Sequence, residues 1–230
     1  MMVPTEIRSR FRIGDADAAV FLDLFDEPAG SRILEVGAHE EPLANILSEC
    51  GFAVTGVDLR EYDEKMSHRN YDYLRCDFCD LPDEFMGKNI GRFDCAIAIS
   101  CIEHFGLSTY GEGPLMPLYD VVAMRAIWQL LREGGTAYLT VPFAAHYLEV
   151  VPHWRIYSYS ALAHRLVQDF NVLLMGFVVA DDVEIRGTKK RRGDAITFED
   201  AFTYVGMLPH VSVILKMVKE RRYRLAPDGR

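Results

Sequence analysis

The stretch that most constrains this chain is Arg32-Ile33-Leu34-Glu35-Val36-Gly37, followed downstream by Ala53-Val54-Thr55-Gly56-Val57-Asp58. The first run reads as a buried strand that ends in a tight turn at Gly37. The second reads as a strand ending on a carboxylate, with a helix from about Pro42 to Glu49 between the two. Together they form the first half of a nucleotide-binding βαβ unit. Asp58 follows Gly37 by about 21 residues, close to the offset of about 20 at which an acid meets ribose hydroxyls.

The turn chemistry narrows the nucleotide. A dinucleotide fold uses G-x-G-x-x-G so that bare backbone can approach a pyrophosphate at a helix N-terminus, whereas here the second and third glycine positions are His39 and Pro42. Glu40 and Glu41 suit the positive end of a helix dipole but would place negative charge where a diphosphate must sit. A ligand with adenosine, a sulfonium cation and no phosphate avoids that conflict. S-adenosyl-L-methionine is such a ligand, and NAD is not.

Four segments, in order, resemble the class I S-adenosylmethionine-dependent methyltransferases. They are the first loop with its distal acid; Cys76-Asp77-Phe78-Cys79-Asp80-Leu81-Pro82; Phe93-Asp94-Cys95-Ala96-Ile97-Ala98-Ile99-Ser100-Cys101-Ile102-Glu103-His104; and Leu131-Arg132-Glu133-Gly134-Gly135-Thr136-Ala137-Tyr138-Leu139-Thr140-Val141-Pro142. The run 103–112, with Gly106-Leu107 and Tyr110-Gly111, further resembles a bacterial branch of that superfamily associated with surface-sugar and secondary-metabolite genes. The resemblance implies a Rossmann-like, doubly wound α/β fold: a mostly parallel seven-stranded sheet with an antiparallel final strand. It also implies cofactor-binding roles. Glu35 would anchor the first loop at Gly37, Ala38 and His39; Asp58 and Leu59 would take the ribose side; Asp77 would meet the adenine amino group and Phe78 would offer its amide. Ser100 and Cys101 would close the site after strand four.

Length and composition fit a single domain spanning 1–230. Of the 230 residues half are hydrophobic, which is ample for a doubly wound core. The apolar runs are far shorter than the ~20 residues that span a bilayer, and the N-terminus lacks a signal-peptide pattern, so a cytoplasmic protein is expected. Five cysteines form no paired framework. Cys76 and Cys79 make a C-x-x-C, but a structural zinc needs about four ligands and no second pair follows, so no metal is expected.

Periodicity places a helix over 16–25 within an N-terminal helical segment 1–30, and further strands ending near Cys76 and Ser100. Val121, Met124, Trp128 and Leu131 form one core-facing helical stripe. A strand over 136–141, a helix over 158–166 capped by Ser158 or Ser160, and two last strands over 170–179 and 211–218 follow. Alternating strands and helices give a mostly parallel sheet covered on both faces.

Methyl transfer to oxygen or nitrogen is an in-line displacement in which positioning supplies much of the catalysis. A base is needed only where the acceptor must lose a proton, and histidine is the usual choice. His104 after strand four is the first candidate, with His146 and His153 as alternatives; Tyr110 and Arg155 are candidates to orient a polar or anionic acceptor, and equally fit surface positions. The long, glycine-rich and proline-rich loop 105–118 is the expected acceptor loop. The basic loop 186–194 stands out in a chain of net charge −9 and reads as a solvated loop, or as a site for a phosphate-bearing acceptor or RNA. The leading reading is O-methylation of a sugar or secondary metabolite, a small-molecule acceptor. An RNA methyltransferase and a catalytically silent binding subunit are the alternatives, although the acidic remainder of the chain argues against broad nucleic-acid affinity and no membrane partner is expected.

Overall fold

The computed structural model describes residues 7, 15–38, 42–61, 71–111 and 113–220. In chain order the elements that build the site are α1 (Ala16–Leu24), β1 (Arg32–Val36), α2 (Leu43–Glu49), β2 (Ala53–Asp58), β3 (Asp72–Arg75), α3 (Asp83–Asn89), β4 (Phe93–Ile99), α4 (Tyr119–Leu130) and β5 (Leu131–Pro142). The remainder comprises the hairpin β6 (Leu148–Val150) and β7 (Trp154–Ile156), α5 (Tyr159–Ala161) running into a π-helical turn, and β8 (Asn171–Val179). The hairpin β9 (Val183–Ile185) and β10 (Thr188–Lys190) follows, then β11 (Ala195–Ile196), α6 (Phe198–Thr203) and β12 (Val211–Val218).

The main sheet runs β3-β2-β1-β4-β5-β12-β8-β11. Pairings from β3 through β5 are parallel, while β12 lies antiparallel between β5 and β8. The sheet therefore has eight strands where seven were expected. The extra one, β11, is a two-residue edge antiparallel to β8, too short to leave a periodic trace in sequence.

Strand alternation divides the core between the two faces. Ile33, Cys95 and Ile97 join Phe21, Leu22, Leu43, Ile46 and Leu47 on the face covered by α1 and α2. Leu34, Val36, Ala96 and Ala98 join Met124, Ile127 and Leu130 on the other. In α4 the buried stripe is Ala123, Met124, Ile127 and Leu130, a correction to the expected one. Val121 and Trp128 are only half-buried and Leu131 opens β5. Trp128 instead carries the Lys219 ammonium 4.1 Å above its ring, a contact that favours the edge of the core. The strand expected from Thr136 begins at Leu131, because a register shift around Gly134 and Gly135 lets the preceding residues join the ladder. Ser158 caps the next helix, its Oγ accepting from the Ala161 amide at 3.3 Å. Of the segment 1–30, the residues before Asp15, Ile7 excepted, lie outside the described residues. Among the described residues no helix is long and apolar enough to cross a membrane.

Candidate functional site

The chain leaves β1 toward β2 and β3 and then crosses back to β4 on the other side of β1. This reversal opens a crevice at the carboxyl ends of the strands. A cavity of about 340 Å³ lies there, walled by Glu35, Gly37, Asp58, Asp77, Ser100 and His104 among others. Leu59, Phe78, Cys101 and Tyr110 also line it. Thus ten of the residues singled out from sequence converge on one space. His39 lies outside the described residues. Ala38 does not line the cavity; it is buried, and Gly56 on β2 is the partner that makes room for its side chain, since a Cβ there would come within 2.8 Å of the Ala38 Cβ.

The first loop is tied to the sheet. The Gly37 amide donates to the Val57 carbonyl at 2.9 Å and the Ala38 amide to the same oxygen at 3.4 Å. Neither donor is left to cradle a phosphate. Gly37 has φ +79, and a Cβ on it would stand 2.6 Å from the Cys101 Cβ. Cys101 in turn donates its thiol to the Val36 carbonyl at 3.2 Å. Only glycine permits this approach of the β1 and β4 ends.

Asp58 ends β2 with 6% of its surface exposed. Its Oδ1 accepts from the Arg60 amide at 2.8 Å and from Arg60 Nε at 3.0 Å, and its Oδ2 accepts from Arg60 Nη2 at 3.0 Å. The Arg60 guanidinium also lies 4.5 Å above the Tyr110 ring, so one side chain joins the acid of β2 to the loop 105–118. Asp77 caps the short turn Phe78–Asp80 through Cys79 N at 2.8 Å. Burial pushes the Cys76 thiol up to about 11 and raises Cys79 further, so neither sulfur carries thiolate character at neutral pH. Among the described residues no group of three or more His, Cys, Asp or Glu is placed to hold a metal ion.

At the end of β4 the chain turns through Ser100, a non-glycine residue at φ 47, backbone strain of the kind that persists only when its surroundings fix it. Ser100 Oγ donates to Asp17 Oδ2 at 3.0 Å. Asp17 belongs to α1, is 1% exposed and lines the cavity. Burial, reinforced by Asp15, pushes its carboxyl up to about 6. Glu103, 3% exposed, lines the same space, and burial raises its carboxyl well above the usual range.

In the turn after β4, His104 donates from Nδ1 to the His153 carbonyl at 2.5 Å and carries Nε2 3.9 Å from Glu103 Oε1. Its ring packs edge-on to Tyr110 at 5.9 Å. The other two histidines are placed differently. His146 and His153 are exposed and absent from the cavity wall; His153 takes part through its carbonyl. Arg155 is not an acceptor ligand. It is fully buried, donates to the Phe105 carbonyl at 2.6 Å and pairs with Glu149 at 3.2 Å. With Arg165, which donates to the Pro117 carbonyl at 2.5 Å, it clamps both ends of the loop 105–118. The basic loop forms the β9–β10 hairpin, where Arg186 pairs with Glu199 at 2.8 Å and Lys190 with Asp200 at 3.3 Å. None of its residues lines the cavity.

Sequence reasoning passed over Asp15, Asp17, Arg60, Trp154 and Ser212, all on the cavity wall. Asp15-Ala16-Asp17 ahead of an apolar run reads as a helix cap, and Asp15 does cap α1 through Asp17 N at 2.9 Å. That signal could have located the helix start beside the site but not the inward turn of the second acid.

A family profile described as a methyltransferase domain matches residues 10–172. No curated protein sequence matches the chain. Among solved structures, the Burkholderia thailandensis 1,6-didemethyltoxoflavin-N1-methyltransferase, with bound 1,6-didemethyltoxoflavin and S-adenosylhomocysteine, is similar at TM-score 0.56 and 16% identity, covering 89% of this chain and 76% of its own. A TehB-like SAM-dependent methyltransferase from Corynebacterium glutamicum is similar at TM-score 0.54 and 12% identity, covering 94% of both chains. A Haloferax volcanii structure, a complex between the Trm112 methyltransferase activator and a putative methyltransferase, is similar at TM-score 0.56 and 14% identity, covering 94% of this chain and 93% of that one. At these identities the structural likenesses establish the fold.

Proposed function

This chain belongs to the methyltransferase domain family, and from that premise we propose that its crevice methylates a small polar acceptor, by O-methylation of a sugar or secondary metabolite. S-adenosylmethionine is the donor and supplies, when bound, a methyl carbon activated by a positively charged sulfur. The observation that carries the reading is the pairing of the first-loop amides of Gly37 and Ala38 with the Val57 carbonyl, while the carboxylates of Asp58 and Asp77 line the adjoining cavity. Such a wall offers acceptors to hydroxyl and amino groups, and neither of these two amides is left to bind a diphosphate.

In this reading Glu35 supports the first loop and Asp58 and Leu59 hold the ribose side. Asp77 and the Phe78 amide hold the adenine, and Ser100 and Cys101 bound the reacting end. His104 Nε2 and Tyr110 form the acceptor wall, closed over by the clamped loop 105–118. We favour an acceptor without phosphate, because Arg186 and Lys190 of the basic loop are engaged by Glu199 and Asp200 and the cavity wall itself is rich in carboxylates. The same pairing weighs against RNA. A silent binding subunit is favoured by one observation, the Arg60 fork on Asp58, which occupies the acid that ribose needs. Calorimetry with S-adenosylhomocysteine, S-adenosylmethionine and NAD, followed by labelled methyl transfer to neutral, amine and phosphorylated acceptors, tests these points. Tight NAD binding without a response to S-adenosylhomocysteine would sink the reading, and cofactor binding without transfer to any acceptor would favour the silent subunit.

A further inference from the structure

Once Glu35, Asp58 and Asp77 are assigned to the donor, three carboxyl groups on the cavity wall remain: Asp15, Asp17 and Glu103. Asp17 and Glu103 each carry one buried oxygen without a hydrogen-bond partner among the described residues, and Asp17 is set apart by the serine that anchors its other oxygen. Its Oδ2 is held by Ser100 Oγ at 3.0 Å, at the strained end of β4, next to the Gly37 and Cys101 contact where the two strand ends close on each other. Its Oδ1 is buried and receives no hydrogen bond of normal geometry among the described residues, the nearby hydroxyls being those of Ser212 and Thr140. A buried carboxylate oxygen left without a donor is disfavoured unless a ligand completes it. Burial also gives this acid a proton affinity suited to exchange near neutral pH.

Resting on the methyltransferase reading, we propose that Asp17 is the catalytic proton acceptor: its Oδ1 takes the proton of an acceptor hydroxyl or amine at the reacting end of the crevice, and its charge faces the donor's sulfonium. The balance is simple. The acceptor O–H or N–H bond breaks and its proton passes to Asp17; a lone pair on that oxygen or nitrogen forms the bond to the methyl carbon. The carbon–sulfur bond breaks, and its electron pair returns to sulfur to give S-adenosylhomocysteine. Ser100 fixes one carboxylate oxygen so that the other points one way. The acceptor class follows: a nucleophile bearing a proton, neutral or cationic overall, since an anionic acceptor would face Asp15 and Asp17 together. His104 then orients the acceptor, its Nδ1 already committed to the His153 carbonyl.

A test that needs no acceptor follows from linkage. S-adenosylmethionine carries a cation at sulfur that S-adenosylhomocysteine lacks, while their amino and carboxyl groups are shared. If Asp17 faces that sulfur, the sulfonium stabilises the ionised carboxylate, so donor affinity relative to product affinity must rise with pH. Calorimetry on the full chain from pH 5 to 7.5 should show the ratio rising about tenfold for each unit of coupling. Near pH 6, binding of S-adenosylmethionine should also release about half a proton that S-adenosylhomocysteine does not release. The groups facing Asp17 are Asp15 from its own cap, Glu103 from the turn after β4, and the hydroxyls of Ser100, Thr140 and Ser212 from β4, β5 and β12. All of these remain in Asp17→Asn, which should abolish the rise and the extra proton release, whereas Asp17→Glu should retain both. A flat ratio in the wild type, or an unchanged rise in Asp17→Asn, overturns the proposal. Binding of neither ligand would instead overturn the methyltransferase reading, so the two failures are distinct.

Discussion

Arg60 grips Asp58 by both carboxylate oxygens, Nε to Oδ1 and Nη2 to Oδ2, each at 3.0 Å. The acid at the end of β2 is therefore satisfied from within the chain, and a ribose must displace part of that fork. Asp58→Ala is expected to weaken S-adenosylhomocysteine by about 1 to 3 kcal/mol, the range for hydrogen bonds to a charged partner. Arg60→Ala should leave binding unchanged or tighten it, because the competing donor is gone. Calorimetry on both variants checks this; a loss in Arg60→Ala as large as in Asp58→Ala would mean that Arg60 itself holds the ligand.

The contact between Gly37 and Cys101 yields a second expectation. Gly37→Ala forces a Cβ into a left-handed backbone position and against the Cys101 Cβ, which should lower stability by about 2 to 4 kcal/mol and reduce donor affinity. Cys101→Gly removes the obstructing atom but not the backbone strain. The double variant should accordingly recover the steric part, with a coupling of about 1 kcal/mol or more in a denaturation cycle. Strict additivity would show that the two ends do not press on each other.

Much of the fold was legible because its main strands carry their own signals. Ile33, Leu34 and Val36, with Glu35 as the one charged exception, and Cys95 to Ala98 are apolar on both faces, as strands covered on both sides must be, and glycine and acid positions marked where they end. What escaped were features set by tertiary contact. The β11 edge is two residues long, and the α4 stripe shifts because Trp128 is claimed by Lys219 from the far end of the chain. At the site, residues at strand ends were found because strand ends converge by topology. Asp17 was missed because burial of an acid in the first turn of a helix leaves no mark on the sequence. Arg155 was a candidate either to orient a polar or anionic acceptor or to lie on the surface; only the fold reveals that it is buried and serves the Phe105 carbonyl.

Arg155 gives a prediction of its own. Its side chain is fully buried, pairs with Glu149 and reaches the loop carbonyl of Phe105; its removal takes this donor from the carbonyl, while Glu149 keeps the Tyr147 hydroxyl at 2.5 Å. Arg155→Met should destabilise the protein by about 1 to 3 kcal/mol, the usual cost of leaving a buried acceptor unsatisfied, since Glu149 is exposed and stays hydrated. S-adenosylhomocysteine affinity should stay within about twofold under conditions where the variant is folded, since Asp58 and Asp77 line the cavity and Arg155 does not. Hydrogen exchange should be faster at the Met116 amide, which closes the loop onto the Gly106 carbonyl at 2.7 Å. Unchanged exchange there would show that Arg165 alone holds the loop.

Asp17 also makes stability depend on pH, with a sign opposite to that of an ordinary salt-bridged acid. Its carboxyl is raised in the folded state from 3.8 to about 6, so the folded chain holds this proton more tightly than the unfolded one. Below about pH 4 both states are protonated and the site is neutral to stability. As pH rises from about 4 to 6 the unfolded state loses its proton first, and the folded state is progressively penalised. Above about 6 the penalty is complete, at most about 3 kcal/mol for a shift of this size. Asp17→Asn removes the titrating group while keeping an oxygen for Ser100. The variant should therefore match the wild type near pH 4 and exceed it in urea denaturation at pH 8, the gain appearing between those limits. A variant equally stable, or less stable, at pH 8 would show that the buried carboxylate is compensated within the fold, and that the raised proton affinity attributed to its burial is not there.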